Sequence, residues 1–192
     1  VLFRSLSRSR FWGIPIPIWR TEDGETEICI NSVEKLKHEI GKSVSAGVMT
    51  SNPLADFTVG DFSEKNYTTF DLHRPYLDDI ILVSADGEQM RREVDLIDVW
   101  FDSGSMPYAQ LHYPFENKIL FEQNFPADFI AEGVDQTRGW FFTLHAISTM
   151  LFDSVAFKNV ISNGLVLDKK GNKMSKRLGN AVDPFNIIDK YG

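Results

Sequence analysis

Hydrophobic and polar positions in the first quarter of the chain predict extended, paired backbone. Pro15 and Pro17 lie in the segment 8–20 and cannot sit inside a helix, so we predict an edge strand or a packed loop there. Asp23-Gly24 is typical of a hairpin turn, and residues 26–30 are predicted as the return strand.

The next pattern changes to a helical period. Asn31 and Glu34 have the spacing of a capping box, and Gly41 is typical of a helix end. One apolar face lies between them: Val33, Leu36 and Ile40. Residues 42–70 are polar and irregular, which favours a loop or insertion. Residues 79–84 and 88–94 are predicted as two strands joined at Asp86-Gly87, a second hairpin.

The second half of the chain alternates between strand-like and helix-like patterns. Residues 99–101 are predicted as a short strand end followed by a turn at 102–105, and residues 128–131 as another strand. A helix is predicted over 135–152 from its apolar stripe: Trp140, Leu144, Ile147 and Leu151. Residues 159–161 and 165–167 look like strands, 168–180 a loop, and Asp183-Pro184 the start of a last helix. Such alternation predicts a parallel sheet with helices packed on it.

Composition narrows the class of protein. The 192 residues are 43% hydrophobic and 24% charged, as in ordinary globular proteins. The single cysteine, Cys29, excludes an internal disulfide. No apolar run approaches ~20 residues, so we expect no membrane span, and the single cysteine fits the reducing compartment of an expected cytoplasmic location. The net charge of −7 argues against a broad nucleic-acid-binding surface.

The segment 132–140 is the first candidate for chemistry. Ligands of open α/β sheets bind at the carboxyl ends of the strands. Glu132 follows a predicted strand, Gly133 permits close approach of a ligand, and Asp135 and Gln136 lie at a predicted helix start that favours anions. Taken alone, Asp135 is better explained as a simple helix cap, and it is the full string 132–140 that favours a site.

The basic loop 168–177 is the second candidate. Its cations, Lys169, Lys170, Lys173, Lys176 and Arg177, suit a polyphosphate and can neutralise charge on a pyrophosphate leaving group. Gly171 and Asn172 favour a loop that can move. The spacing of a P-loop does not occur there, and a solvated surface turn is the alternative.

Four strings together carry a family resemblance. Residues 173–177 spell KMSKR, which matches the KMSKS signature with Arg177 in place of the final Ser. The other three are SRxRFWGxPIPIW at 7–19, DVWFDSGS at 98–105 and AEGxDQTRGWFF at 131–142. The chain therefore resembles the isoleucyl-tRNA synthetases of the class I aminoacyl-tRNA synthetase family. Valine and leucine members share the loop but differ around the tryptophans.

The resemblance implies a Rossmann-like fold and a ligase that uses ATP with Mg²⁺, L-isoleucine and tRNA(Ile). It implies that Glu132, Gly133, Asp135 and Gln136 bind the aminoacyl-adenylate, and that Trp100 and Trp140 flank the isoleucine side chain. Lys173 and Lys176 would stabilise the phosphates within a loop completed by Met174, Ser175 and Arg177. Arg177 keeps a positive charge but lacks the serine hydroxyl. No metal site is expected within these residues.

The resemblance also implies a division of the chain. The His-x-Gly-His signature of the family does not occur in the sequence, so we expect the N-terminal half of the catalytic domain to lie outside it. Residues 1–95 are expected to be the end of a hairpin-rich connective peptide. Residues 96–192 are expected to be the second half of the Rossmann-like α/β domain with its parallel sheet. The open alternatives are a valyl- or leucyl-type member and a non-catalytic tRNA-binding module.

Overall fold

The structure is a computed structural model that describes residues 7–192, apart from the side chain of Lys176. Its residues form two compact units, one up to Asp102 and one from Ser103 to Gly192. The structural elements of each unit follow from local signals in its sequence.

A four-stranded antiparallel sheet organises the first unit. Its members in spatial order are β3 (Glu27–Cys29), β2 (Ile18–Thr21), β5 (Gln89–Arg92) and β4 (Ile81–Val83). Both predicted hairpins are confirmed, because β2 pairs with β3 and β4 pairs with β5. A second antiparallel pair joins β1 (Ser7–Arg8) to β6 (Leu96–Ile97).

Helix α1 (Val33–Ser45) covers this sheet, but its predicted ends were wrong. The side chain of Ser32, not Asn31, accepts the amide of Lys35 at 3.1 Å. Gly41 lies inside the helix instead of ending it. The helix ends where Gly47 adopts φ +73° and donates its amide to the Val44 carbonyl.

The core of the first unit combines one face of α1 with the sheet and with part of the predicted loop. The indole of Trp19 is 1% exposed and donates to the Ile80 carbonyl at 2.9 Å. Leu54 and Phe57, from the 42–70 stretch, are buried in the same core, so this stretch is packed despite its irregular backbone. It also contains the short helix α2 (Glu64–Tyr67).

A small parallel sheet organises the second unit. Strand β7 (Ile130–Gly133) pairs with β8 (Val160–Asn163), from Ile130 opposite Val160 to Gly133 opposite Asn163. The helices are α3 (Val99–Gly104), which spans the boundary of the units, α4 (Met106–Ala109), α5 (Lys118–Asn124), α6 (Trp140–Phe152) and α7 (Pro184–Tyr191). The predicted parallel pairing and the Asp183 cap of α7 are both confirmed.

Residues 99–101 are helical, so their prediction as a strand was wrong. The carboxylate of Asp98 accepts the amide of Trp100 at 2.7 Å and favours a helical turn. The predicted turn at 102–105 was also wrong over its first three residues, which lie in α3. Residues 165–167 form no strand; only an isolated bridge joins Leu167 to Lys173.

The predicted helix 135–152 begins later than expected. Residues Val134–Arg138 form a 3-10 turn, and Gly139 breaks the helical path with φ −133° and ψ −118° before α6 begins at Trp140. Leu144 and Ile147 are buried as predicted, but Leu151 is 61% exposed. The buried face of α6 includes Phe141 instead.

Aromatic packing fills the interior of the second unit. Tyr108 contacts Phe121, Phe125 and Phe152 with ring centroids 5.3–5.8 Å apart. Outside this cluster much of the unit's apolar surface is exposed, including all of β8. None of the described helices is both long and apolar enough to span a membrane.

Candidate functional site

The carboxyl edge of the parallel sheet presents the first set of predicted residues. Glu132 and Gly133 are the last residues of β7, and Gly133 lies opposite Asn163 at the end of β8. The side chain of Glu132 is exposed, as is that of Asp135 just beyond the strand. Two carboxylates therefore lie within four residues at the edge where open α/β sheets bind ligands.

Space, not backbone conformation, explains the glycine at position 133. Its φ of −65° suits any residue. A Cβ there would lie 2.6 Å from Oδ1 of Asp135, which is closer than real Cβ contacts allow. The absent side chain therefore lets the Asp135 carboxylate fold back against the end of β7.

Gln136 caps the helix that follows. Its Oε1 accepts the amide of Trp140 at 2.9 Å, and its backbone carbonyl accepts the amide of Gly139. The expectation that Asp135 and Gln136 start an α-helix was wrong, because both lie in the 3-10 turn before Gly139. The first amide of α6 is thus bonded to Gln136, whose side-chain NH₂ group retains the capacity to donate to a ligand.

The indole of Trp140 is held in place from one side. Its Nε1 donates to the carbonyl of Ser103 at 2.9 Å, and the side chain is half-buried. The neighbouring Gly104 allows this approach, since a Cβ there would lie 2.8 Å from Cδ1 of Ile147 and 3.0 Å from the Thr143 carbonyl carbon. Such fixation suits a rigid aromatic wall.

Trp100, which belongs to the first unit, lines a cavity of about 390 Å³ together with Trp12 and Asp102. Asp98, which is 5% exposed, accepts the Trp100 amide and forms an ion pair with Arg8. Burial and then the charge of Asp98 raise the pKa of the Asp102 carboxyl. The start of α3 is therefore fixed by a buried acid whose partner lies in β1.

The basic loop is organised by two residues that sequence reasoning missed, Asp168 and Asn180. The carboxylate of Asp168 accepts the amides of Lys170 and Asn172 at 2.9 and 2.8 Å, and Nδ2 of Asn180 at 2.9 Å. The hydrogen bond from Asn180, followed by that from the Asn172 amide, lowers the pKa of Asp168. The Asp168 carboxylate is thus kept ionised within the basic loop.

Asn180 also fixes the backbone of the predicted signature. Its Oδ1 accepts the amide of Ser175 at 2.8 Å, and its Nδ2 lies 3.4 Å from the Lys173 carbonyl. The signals that could have found this pair are the Asp168-to-Gly171 turn and the Gly179-Asn180 step just after the signature. Gly171 does adopt the left-handed φ of +79° that such a turn requires.

The side chains of the signature differ in exposure. Lys173 and Arg177 are exposed, whereas Met174 and Ser175 are half-buried. Ser175 Oγ accepts the amide of Arg177 at 3.1 Å. The backbone of Lys176 lies in a 3-10 turn, Lys176–Leu178, but its side chain lies outside the described residues.

These two surfaces offer different chemistry. The edge of β7 offers carboxylate and amide groups, which suit hydroxyl and ammonium groups of a ligand. The loop offers cations beside an open hollow of about 820 Å³ lined by the turn of Asp168 to Lys173, which suits phosphate oxygens. Within residues 7–192 the structure places no three His, Cys, Asp or Glu side chains in a metal-binding group.

Comparisons with known proteins agree on one family. The family model of class I tRNA synthetases (I, L, M and V) matches residues 4–192. An isoleucine–tRNA ligase of Bacteroides thetaiotaomicron is 72% identical over 192 residues, covering 98% of this chain and 16% of that protein. One from Porphyromonas gingivalis is 69% identical over 190 residues, covering 98% of this chain and 17% of that protein.

A solved structure gives the same fold at low identity. It is the ternary complex of an Agrobacterium radiobacter K84 LeuRS with tRNA and LeuAMS, with a TM-score of 0.61 and 23% identity. The match covers 98% of this chain and 22% of that one. The chain therefore spans about a sixth of the length of its curated relatives and has a class I synthetase catalytic-domain fold with mixed α/β content.

Proposed function

The chain belongs to the class I tRNA synthetase family, and on that premise we propose that it is part of the catalytic region of an isoleucine–tRNA ligase. The parent would activate L-isoleucine with ATP to the aminoacyl-adenylate and transfer the isoleucyl group to tRNA(Ile). The observation that carries this proposal is the 72% identity to an isoleucine–tRNA ligase across 98% of the chain.

The edge of β7 is proposed as the adenylate cradle. Glu132 contacts the aminoacyl-adenylate, and Gly133 and Asp135 face its ribose. Support comes from the exposed Asp135 carboxylate, which can accept hydrogen bonds from ribose hydroxyls. Gln136 approaches the aminoacyl part with its NH₂ group while its oxygen caps α6.

The loop 173–177 is proposed to act on the phosphates. Lys173 and Lys176 stabilise the negative charge that develops as pyrophosphate leaves. Asp168 and Asn180 hold the backbone of this loop, so little reorganisation is needed when the lysines meet their ligand. Mg²⁺ accompanies ATP, since this ion is usually held through substrate phosphates and water.

Trp100 and Trp140 are proposed as walls for the isoleucine side chain. Isoleucine differs from valine by one methylene, which is worth only about 1–3 kcal/mol in an apolar pocket. Rigid aromatic walls maximise the contact that this additional methylene makes with the pocket. The hydrogen bonds of the Trp140 indole to Ser103 and of the Trp100 amide to Asp98 support such rigidity.

The proposal extends to the domain plan. Residues 96–192 are the second half of a Rossmann-like domain in a cytoplasmic enzyme, and residues 1–95 end a connective peptide. The uncovered apolar side chains of β8, including Val160 and Ile161, support this plan, because a parallel sheet is normally covered on both faces. We propose the N-terminal half of the catalytic domain as this cover.

Amino-acid-dependent exchange of pyrophosphate into ATP by the full-length parent tests the function. We expect exchange with isoleucine to exceed that with valine or leucine by about 100-fold in kcat/KM. A preference for valine or leucine would contradict the proposed substrate.

Lysine variants separate ligase chemistry from simple tRNA binding. Lys176→Ala is expected to lower kcat of exchange by about 10²–10³-fold, as for loss of one group that stabilises transition-state charge. Lys169→Ala removes a charge from the same loop and serves as the matched control. Weaker tRNA binding with unchanged exchange would favour a binding module instead.

A further inference from the structure

The segment 71–78 contains charged residues that the proposed chemistry does not use. Asp78 accepts Nε of Arg74 through Oδ2 at 2.7 Å and Nε of Arg92 through Oδ1 at 3.2 Å. We refer to Arg74, Asp78 and Arg92 as the arginine brace. The Arg92 side chain is only 1% exposed, so the shared carboxylate is its main charge partner.

The brace keeps its carboxylate ionised. Partial burial acts to raise the pKa of Asp78, but hydrogen bonds from Arg92 and Arg74 and their positive charges outweigh it. The pKa therefore lies below its ordinary value. Two guanidinium groups are thus fixed by one anion, and the Nη1 group of each donates to backbone carbonyls.

Those N–H groups tie together two separate stretches of chain. Nη1 of Arg74 donates to the carbonyls of Arg10 and Val94, both at 3.3 Å, and the guanidinium lies 5.3 Å from the ring centroid of Phe11. Nη1 of Arg92 donates to the carbonyls of Glu93 and Asp95. The brace therefore holds residues 10–11 beside residues 93–95, where the chain leaves the four-stranded sheet.

A continuous set of contacts leads from this point to Trp100. Oδ1 of Asp95 accepts the hydroxyl of Ser9 at 2.8 Å, and β6 then pairs with β1. Asp98 follows, paired with Arg8 and bound to the amide of Trp100. Only four residues lie between Asp95 and Trp100, and contacts hold the chain at both ends of that interval.

We infer that the arginine brace is a positioning device that fixes the start of α3 and thereby the place of Trp100. The inference rests on the proposed function, in which Trp100 flanks the isoleucine side chain. A brace that served folding alone would affect all substrates through loss of active protein. A brace that positions Trp100 alters recognition of the amino acid and leaves recognition of ATP intact.

Asp78→Asn in the full-length parent tests the inference by steady-state exchange kinetics. Asparagine keeps the size of the side chain but removes the charge and one acceptor, so the two arginines lose their common anchor. We expect the KM for isoleucine to rise about tenfold while the KM for ATP changes less than about twofold. Asp71→Asn, in the same segment, is the matched control because the Asp71 carboxylate binds the ring and the backbone amide of the exposed His73, outside the brace.

Arg74→Lys keeps the test decisive if Asp78→Asn folds poorly, and a double variant tests whether Asp78 and Asp98 act through the same helix start. Arg74→Lys retains a charge beside Asp78 but cannot reach both carbonyls, so a smaller change in the same direction is expected. Combining Asp78→Asn with Asp98→Asn should raise the KM for isoleucine by less than the product of the single effects, because both act through one helix start.

Three results would overturn the inference. They are an unchanged KM for isoleucine, equal increases for isoleucine and ATP, and effects that multiply fully in the double variant. If the unmodified parent shows no exchange with isoleucine, the proposed function itself fails and the brace loses its role with it.

Discussion

At the residue scale, the clearest case is a glycine whose missing side chain serves its neighbour. A Cβ at Gly133 would meet the Asp135 carboxylate at 2.6 Å, although the backbone there suits any residue. The carboxylate is the end of a flexible side chain, so it can move away at small cost to stability. What the substitution would change is the position of the Asp135 carboxylate, and therefore the geometry of the candidate site.

Gly133→Ala is therefore expected to impair activity more than folding. In the full-length parent, displacement of the Asp135 carboxylate should lower kcat/KM for ATP in exchange by about 10–100-fold, with little change in melting temperature. Gly164→Ala is the matched control, since a Cβ at Gly164 would meet nothing within 4 Å. Equal effects of the two variants would contradict the role given to this contact.

The sequence indicated where this site lies but not how its side chains are used. Glu132 and Gly133 could be placed at a strand end from the pattern alone. The capping of Trp140 by Gln136 could not, because it depends on the break at Gly139, whose ψ of −118° no local rule predicts. The roles of Asp168 and Asn180 likewise depend on contacts across twelve residues.

At the element scale, the approach of residues 103–104 to α6 depends on another glycine. Gly104 lies against Thr143 and Ile147, and a backbone atom of Thr143 is among the nearest neighbours of a Cβ built there. A backbone atom cannot rotate away as a side chain can.

Gly104→Ala is expected to destabilise the chain by about 1–3 kcal/mol through overpacking. Gly41→Ala should have the opposite sign, stabilising α1 by about 0.5–1 kcal/mol, because Gly41 is a helix-interior residue with open space around it. Urea unfolding of the two variants beside the unmodified chain measures both. If Gly104→Ala left the free energy of unfolding unchanged, the backbone around this contact would have to relax, and the prediction would be wrong.

The basic loop provides a second prediction at this scale. Asn180→Ala removes the acceptor of the Ser175 amide and a donor to Asp168, so the loop loses its fixed backbone. We expect kcat of exchange in the parent to fall about 10-fold or more, since positioning of the lysines is lost.

Asn172→Ala is the control in the same loop. Its backbone amide, at 2.8 Å from Asp168, survives the change, whereas its side-chain bond is long at 3.4 Å. A large effect of Asn172→Ala, or none of Asn180→Ala, would contradict the assignment.

Elements marked by a turn or cap sequence could be predicted, whereas short elements without a periodic pattern could not. The two hairpins and the Asp183-Pro184 start of α7 followed from turn and cap chemistry. Residues 99–101 were misread because three apolar residues carry no period, and the deciding bond comes from Asp98 before them. Gly41 was misread because a glycine can stop a helix only where the chain also turns.

At the scale of the whole molecule, the two units differ in how well they bury their apolar residues. The first has a closed core around Trp19 and Ile40, both at most 1% exposed. In the second, Val166, Phe185 and Tyr191 are each at least 70% exposed. The first unit is thus more nearly self-sufficient.

The 192 residues on their own are expected to show no isoleucine-dependent exchange. On the proposed domain plan the cover of the parallel sheet is a separate segment, and the His-x-Gly-His signature does not occur in these 192 residues. Measurement of exchange by the isolated chain, beside the full-length parent as positive control, checks this. Activity of the isolated chain would refute the proposed division of the site.

The pairing of β1 with β6 has a consequence for how the family can vary. Because Arg8 lies opposite Leu96, the 87 residues between them leave and return at one point, and the brace closes that point. The entropy lost on closing such a loop grows only with the logarithm of its length, about 0.6 kcal/mol for each doubling. Evolution or design can therefore lengthen, shorten or transplant the segment 9–95 while the rest of the chain keeps its register.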